Sequence, residues 1–165
     1  SDRSHAALAD ELAFLGAWDE AAPELASSGF GTRSPFSMAV YNARGTRADG
    51  AVQLGESIVA KLPDDFRVEL LPRAVAELVY PAPYAEALRA YAIPMDVDPR
   101  FELSIARQES RFQPWVKSAA AARGLMQFIP ETASRIAASL KLEPFDQDDL
   151  YTTATSSASR SASSM

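Results

Sequence analysis

Acid–base chemistry in this chain falls to carboxylates. His5 is the only histidine and cysteine is absent. That removes thiolate nucleophiles, disulfides and Cys-type zinc sites, and it leaves no basis for a Ser–His triad or a multi-histidine metal centre. No metal and no cofactor is therefore expected. Among the carboxylates, Glu109 is distinguished by its neighbours. Asp98-Pro99 joins a helix N-cap to proline at the first helical position, which predicts a helix running to about Ser110. Phe101, Ile105 and Phe112 mark the apolar stripe of that segment, and Glu109 falls on the same stripe. Neither Lys nor Arg stands three or four residues away, so no local ion pair would hold a charge there. Arg107 and Arg111 point to other faces. Burial in an apolar stripe disfavours the ionised form, and so does the helix C-terminal dipole. A general acid working near neutrality needs that protonated state. Periodicity alone favours a plainer alternative, an amphipathic helix whose Glu109 carboxylate reaches solvent. Glu102 lies in the first turns, where the dipole favours negative charge, and suits a structural role.

The second stretch with chemical content is Ala122-Arg123-Gly124-Leu125-Met126-Gln127-Phe128-Ile129-Pro130-Glu131-Thr132-Ala133. Gly124 permits a close backbone approach. Met126 and Ile129 can line an apolar groove, and Gln127 offers amide donors and a carbonyl acceptor. The combination suits a neutral ligand rich in hydroxyl and acetamido groups, such as a sugar polymer. Met and Phe at helical spacing also read simply as core.

Ala106-Arg107-Gln108-Glu109-Ser110-Arg111-Phe112, then Ser118, then Arg123-Gly124-Leu125-Met126-Gln127 and Pro130-Glu131-Thr132-Ala133, resembles the soluble lytic murein transglycosylases. Tyr80-Pro81-Ala82-Pro83-Tyr84 resembles the segment leading into the catalytic domain of their long, superhelical members. The resemblance covers roughly Leu71 to Tyr151. It implies a lysozyme-like helical domain that cleaves the β-1,4 bond between N-acetylmuramic acid and N-acetylglucosamine. It also implies that Glu109 protonates the glycosidic oxygen and then helps deprotonate the muramoyl C6 hydroxyl, which closes a 1,6-anhydro ring. Ser118 matches a serine placed to hydrogen-bond the acid. Gln127 matches a substrate-contacting position, and Ile129 stands at a groove position where Met is frequent. Ala119, Ala120 and Ala121 stand where the family usually carries Pro and Gly. The implied partner is the peptidoglycan glycan strand, and the implied location is the periplasm or cell envelope of a bacterium. Two alternatives stay open: a hydrolytic muramidase of related fold, and a non-catalytic helical glycan-binding or interaction module.

The elements that must position these residues are helical. Alanine and leucine are abundant, and apolar residues recur at three- and four-residue spacing. Helices are predicted from His5 to Leu15, from an Asp19 cap to Leu25, from Ser34-Pro35 to Ala43, through Ala51–Val59, from Pro72 to Tyr80, and from Tyr84 to Ala92. Short helix pairs cannot each enclose a core and must stack on their neighbours. The expected fold is all-α: a superhelical, TPR-like scaffold over 1–92, then the N-terminal half of a lytic transglycosylase domain over 93–151. Residues 152–165 read as a Ser/Ala/Thr-rich tail. About half of the catalytic domain is expected to be missing. That leaves the isolated chain with little or no transglycosylase activity and prone to self-association through apolar surface around Phe112, Met126 and Ile129. Asp146, Asp148 and Asp149 lack the glycine and glutamate of an EF-hand loop and read as a solvated acidic turn. The formal net charge of −6, with no Lys or Arg run, argues against nucleic acid. No apolar run approaches membrane-span length.

Overall fold

A computed structural model describes residues 2–142 and 144–152. It divides into two compact units, residues 1–83 and 84–165. Among the described residues there is no strand, and the fold is all-α. None of the described helices is long and apolar enough to cross a membrane. The expected tail lies, from residue 153 onward, outside the described residues.

The first unit contains α1 (Asp2–Phe14), α2 (Trp18–Ser27), the short α3 (Phe30–Arg33), α4 (Pro35–Arg44), α5 (Ala48–Val59) and α6 (Arg73–Val79). α1 packs on α2, α2 on α4, α4 on α5 and α5 on α6. Small side chains allow this stacking. Ala9, Ala21, Ala39 and Ala51 are fully buried, and Val52 is the largest such apolar side chain. α5 approaches α4 so closely at Gly50 that an added Cβ would lie 2.7 Å from Asn42 Nδ2. Polar ties fix the stack further. His5 Nδ1 meets Glu24 Oε2 at 2.5 Å, joining α1 to α2. Asp19 does not cap α2, which begins one residue earlier. Its carboxylate instead accepts from the Thr46 N–H (2.7 Å) and hydroxyl (3.0 Å), tying the α4–α5 turn to α2. Pro23 consequently lies inside α2, on its exposed side.

The second unit contains α7 (Ala85–Ala92), α8 (Pro99–Ser110) and α9 (Pro130–Ser139), with 3₁₀ turns at Ile93–Met95 and Gln147–Tyr151. α7 packs on α8 and groups with this unit rather than with the upstream helices. α8 begins as its sequence predicts. The Asp98 side chain accepts from the Arg100 N–H at 2.9 Å, and Pro99 occupies the first turn.

Candidate active site

α8 carries Glu109 one residue before its C-terminal end, and the side chain is exposed. The expectation of a buried carboxylate is thus corrected in favour of the plainer alternative. The cause lies in the stripe used to place it. Phe101 is 62 % exposed, and Phe112 does not belong to the helix. Arg111 and Phe112 both take left-handed backbone, at φ 49° and 62°. The helix therefore stops, and the Phe112 ring turns inward to 2 % exposure. The Phe112 N–H reaches back to the Ala106 carbonyl at 3.5 Å. Phe112 also drops out of the expected exposed apolar surface. Met126 is half-buried, and Ile129, the N-cap of α9, is 44 % exposed.

The loop after α8 is held by its own hydrogen bonds. The Ser118 N–H donates to the Ala122 carbonyl (2.9 Å), the Gly124 N–H to Val116 (3.1 Å) and the Arg123 N–H to Phe128 (3.1 Å). Ser118 Oγ accepts from the Ala122 N–H at 3.1 Å. That bond closes the loop, and the serine is not hydrogen-bonded to Glu109. Gln127 spends both amide donors internally, on the carbonyls of Val116 (3.1 Å) and Gly124 (2.9 Å). Only its carbonyl oxygen is left for another molecule. The structure therefore brings Ser118, Gly124 and Gln127 into one knitted loop, with Glu109 on the preceding helix. Of the seven described non-glycine residues with positive φ, four fall here: Arg111, Phe112, Ala121 and Gln127. Such strain persists only where surrounding bonds hold it, and it concentrates at functional sites.

The acidic turn is part of this arrangement. Asp146 caps the Gln147–Tyr151 turn by accepting from the Asp148 N–H (2.8 Å), and its own N–H donates to Asp149 Oδ2 (2.9 Å). Asp148 is ion-paired with Arg123. Gln147 Nε2 donates to the Pro130 carbonyl (3.2 Å) and to Ser134 Oγ (3.0 Å), tying the turn to α9. The Arg123 guanidinium lies 5.7 Å from the Tyr151 ring centroid. The Trp115 ring lies 5.8 Å from the same ring, tilted by 34°. A methyl group at Gly124, which has φ 74°, would collide with the Leu150 carbonyl. Sequence reasoning assigned no role to Trp115 or Tyr151, read Asp148 only as part of a solvated acidic turn, and took Arg123 only as part of the family motif. Arg123 and Asp148 stand 25 residues apart, beyond any helical spacing rule.

Residues 86–159 match the family model described as the transglycosylase SLT domain. A Haemophilus influenzae protein, provisionally named a soluble lytic murein transglycosylase, is 36 % identical over 95 residues; the match covers 58 % of this chain and 14 % of that protein. The soluble lytic murein transglycosylase of Salmonella typhimurium is 40 % identical over 55 residues, covering 33 % of this chain and 8 % of its own. The crystal structure of the 70 kDa soluble lytic transglycosylase from Escherichia coli aligns with a TM-score of 0.59 at 23 % identity, over 87 % of this chain and 22 % of that one. This chain therefore spans a small part of the length of the relatives it matches.

Proposed function

We propose, from the match of residues 86–159 to the transglycosylase SLT domain and the similarity to soluble lytic murein transglycosylases, that the chain forms part of a peptidoglycan lytic transglycosylase. The observation that carries the reading is the coincidence of the matched segment with Glu109, exposed at the end of α8, and with the hydrogen-bonded loop that follows it. The substrate would be the glycan strand of murein. Glu109 would give its proton to the oxygen linking N-acetylmuramic acid to N-acetylglucosamine, and the bond to muramoyl C1 would break. The resulting carboxylate would take the proton from the muramoyl C6 hydroxyl as that oxygen closes on C1. The carboxyl group ends protonated, no water is consumed, and the product is a 1,6-anhydro end. One carboxyl group serves both steps because the attacking hydroxyl is already held on the substrate. The two-carboxylate glycosidase scheme needs a second group to handle water.

In this scheme Ser118, Gly124 and Gln127 shape the loop beside the acid, and Met126 and Ile129 offer apolar contact to the sugar face. The domain assignment that goes with the reading is a helical scaffold upstream and the first half of the catalytic domain downstream. The working enzyme would act in the periplasm or cell envelope of a bacterium. The isolated chain would have little activity and would self-associate through Phe101, Ile129, Ile136 and Leu140, all more than one-third exposed. Light scattering across a dilution series tests that last point, and a monomer at every concentration would refute it. For the reaction, residues 86–151 are placed into the Escherichia coli enzyme in place of its matching segment, and the chimera is incubated with murein sacculi. Soluble muropeptides with anhydro ends are expected. Products with reducing ends would instead establish a hydrolase.

A further inference from the structure

Among the described residues, the Glu109 side chain makes no hydrogen bond and no ion pair. Its placement is therefore set by the backbone that carries it. A group that transfers a proton has to be held to within about 0.5 Å of its working position. The last turn of α8 must supply that precision without help from a side-chain partner.

That turn is locked on the Ala106 carbonyl. It accepts from the buried Ser110 hydroxyl at 2.9 Å, and the Arg111 and Phe112 N–H groups also turn back to it. The Gln113 N–H then closes on the Ser110 carbonyl at 3.0 Å. Exposed Glu109 is thus followed directly by buried Ser110 and, two residues later, by buried Phe112.

Arg111 and Phe112 are consecutive residues in left-handed backbone. That conformation is uncommon for any residue but glycine, and more so for a bulky one. A helix that only had to stop would be served by glycine there, which makes the same turn without strain. Phe112 adds what glycine lacks, a ring that pins the turn into the interior. Strained backbone persists only where its surroundings hold it, and that holding is a mark of pre-organised sites.

We infer that Phe112 is a positioning residue for Glu109. Its buried ring anchors the left-handed turn, and the turn fixes the direction in which the end of α8 presents the carboxyl group. At 2 % exposure Phe112 itself is out of a ligand's reach. The inference rests on the proposed reading of Glu109 as the acid and names the residue that holds it in place.

The test uses the chimera that carries residues 86–151 within the Escherichia coli enzyme. Phe112→Leu, Glu109→Gln and Asp98→Ala are made singly, and the first two are combined. Leucine keeps the position apolar and removes the ring. Asp98→Ala loosens the opposite end of α8 and controls for a general loss of helix stability. Phe112→Leu should lower kcat for anhydro-product release about tenfold with KM unchanged, and Asp98→Ala should change neither. In the Glu109→Gln background, Phe112→Leu should have no further effect, because the group it positions is gone. Circular dichroism checks that each variant is folded. If Phe112→Leu does not fold, Phe112→Met takes its place, since the flexible methionine side chain adapts to an irregular gap. Unchanged kcat in the Phe112 variant, an equal loss in Asp98→Ala, or the same tenfold loss in the Glu109→Gln background would overturn the positioning role. An inactive chimera, or an undiminished rate in Glu109→Gln, would overturn the cleavage reading and the positioning with it. An impaired Glu109→Gln beside an unaffected Phe112→Leu would reject the positioning alone.

Discussion

Gly124→Ala should damage the second unit far more than an ordinary glycine substitution. Gly124 has φ 74°, and the left-handed backbone alone costs an alanine about 1 kcal/mol. The added methyl also meets the Leu150 carbonyl, whose carbon would lie 2.9 Å away. Backbone cannot give way as a flexible side chain can, so a further ~1–3 kcal/mol of overpacking is expected. The total is about 2–4 kcal/mol, and relaxing it would push the Gln147–Tyr151 turn off the loop. Gly16 supplies the control, because it has φ 78° and nothing within 4 Å of an added Cβ. Gly16→Ala should cost only the backbone part, about 1 kcal/mol. Each unit carries one tryptophan, Trp18 in the first and Trp115 in the second, so urea unfolding can be followed unit by unit. The expected result is a large loss in the Trp115-reported transition for Gly124→Ala and a small loss in the Trp18-reported transition for Gly16→Ala. Equal losses would refute the close approach of Leu150.

Gln127→Ala removes both donors to the Val116 and Gly124 carbonyls and should destabilise the loop by about 1–3 kcal/mol, read in the Trp115-reported transition; an unchanged midpoint would show that the loop closes without them. Asp98 is held below the ordinary carboxylate range, first by its hydrogen bonds from the Arg100 side chain and then by the Arg100 N–H. A lowered folded-state pKa gives stability that is present above the unfolded value and lost as the pH falls through the folded one, so α8 should begin to weaken below about pH 4. Circular dichroism should show Asp98→Ala less stable than the parent chain at neutral pH, with the gap closing on acidification; a gap independent of pH would contradict the cap. Asp148→Asn removes the carboxylate charge from the Arg123 pair, and with Asp148 74 % exposed the loss should stay below ~1 kcal/mol. Thermal melts check this, and a loss of several kcal/mol would mean the pair carries more of the loop than its exposure allows.

Helix starts and stops were legible because they are written in adjacent residues. Asp98-Pro99, Ser34-Pro35 with Gly45, and Pro72 mark ends that the structure reproduces within a residue or two. The α9 helix also begins at a proline, Pro130, but that stretch was read for its motif and not as a helix. Side-chain environment was harder to read. Phe112 at helical spacing suggested one continuous stripe, yet left-handed backbone at two bulky residues is rare enough that sequence gives no warning of it. With Phe112 turned inward, the local argument for burying Glu109 fails. Gln127 was recognised as a polar residue beside an apolar groove. That its donors are already spent on two carbonyls depends on a loop geometry no spacing rule encodes. The Arg123–Asp148 pair and the Trp115–Tyr151 contact join segments far apart in sequence, so no local pattern marks them.

The central claim is that Glu109 moves the proton in both halves of a transglycosylation, and the most direct measurement is single-turnover cleavage by the chimera carrying residues 86–151. Mass spectrometry of the released muropeptides separates the outcomes, because an anhydro product is lighter than its hydrolytic counterpart by one water. Glu109→Gln keeps the shape of the side chain and removes the transferable proton. Anhydro-product formation should fall by about 100-fold or more while binding to sacculi is retained. Release at an undiminished rate by Glu109→Gln would contradict the claim and move the acid to another residue.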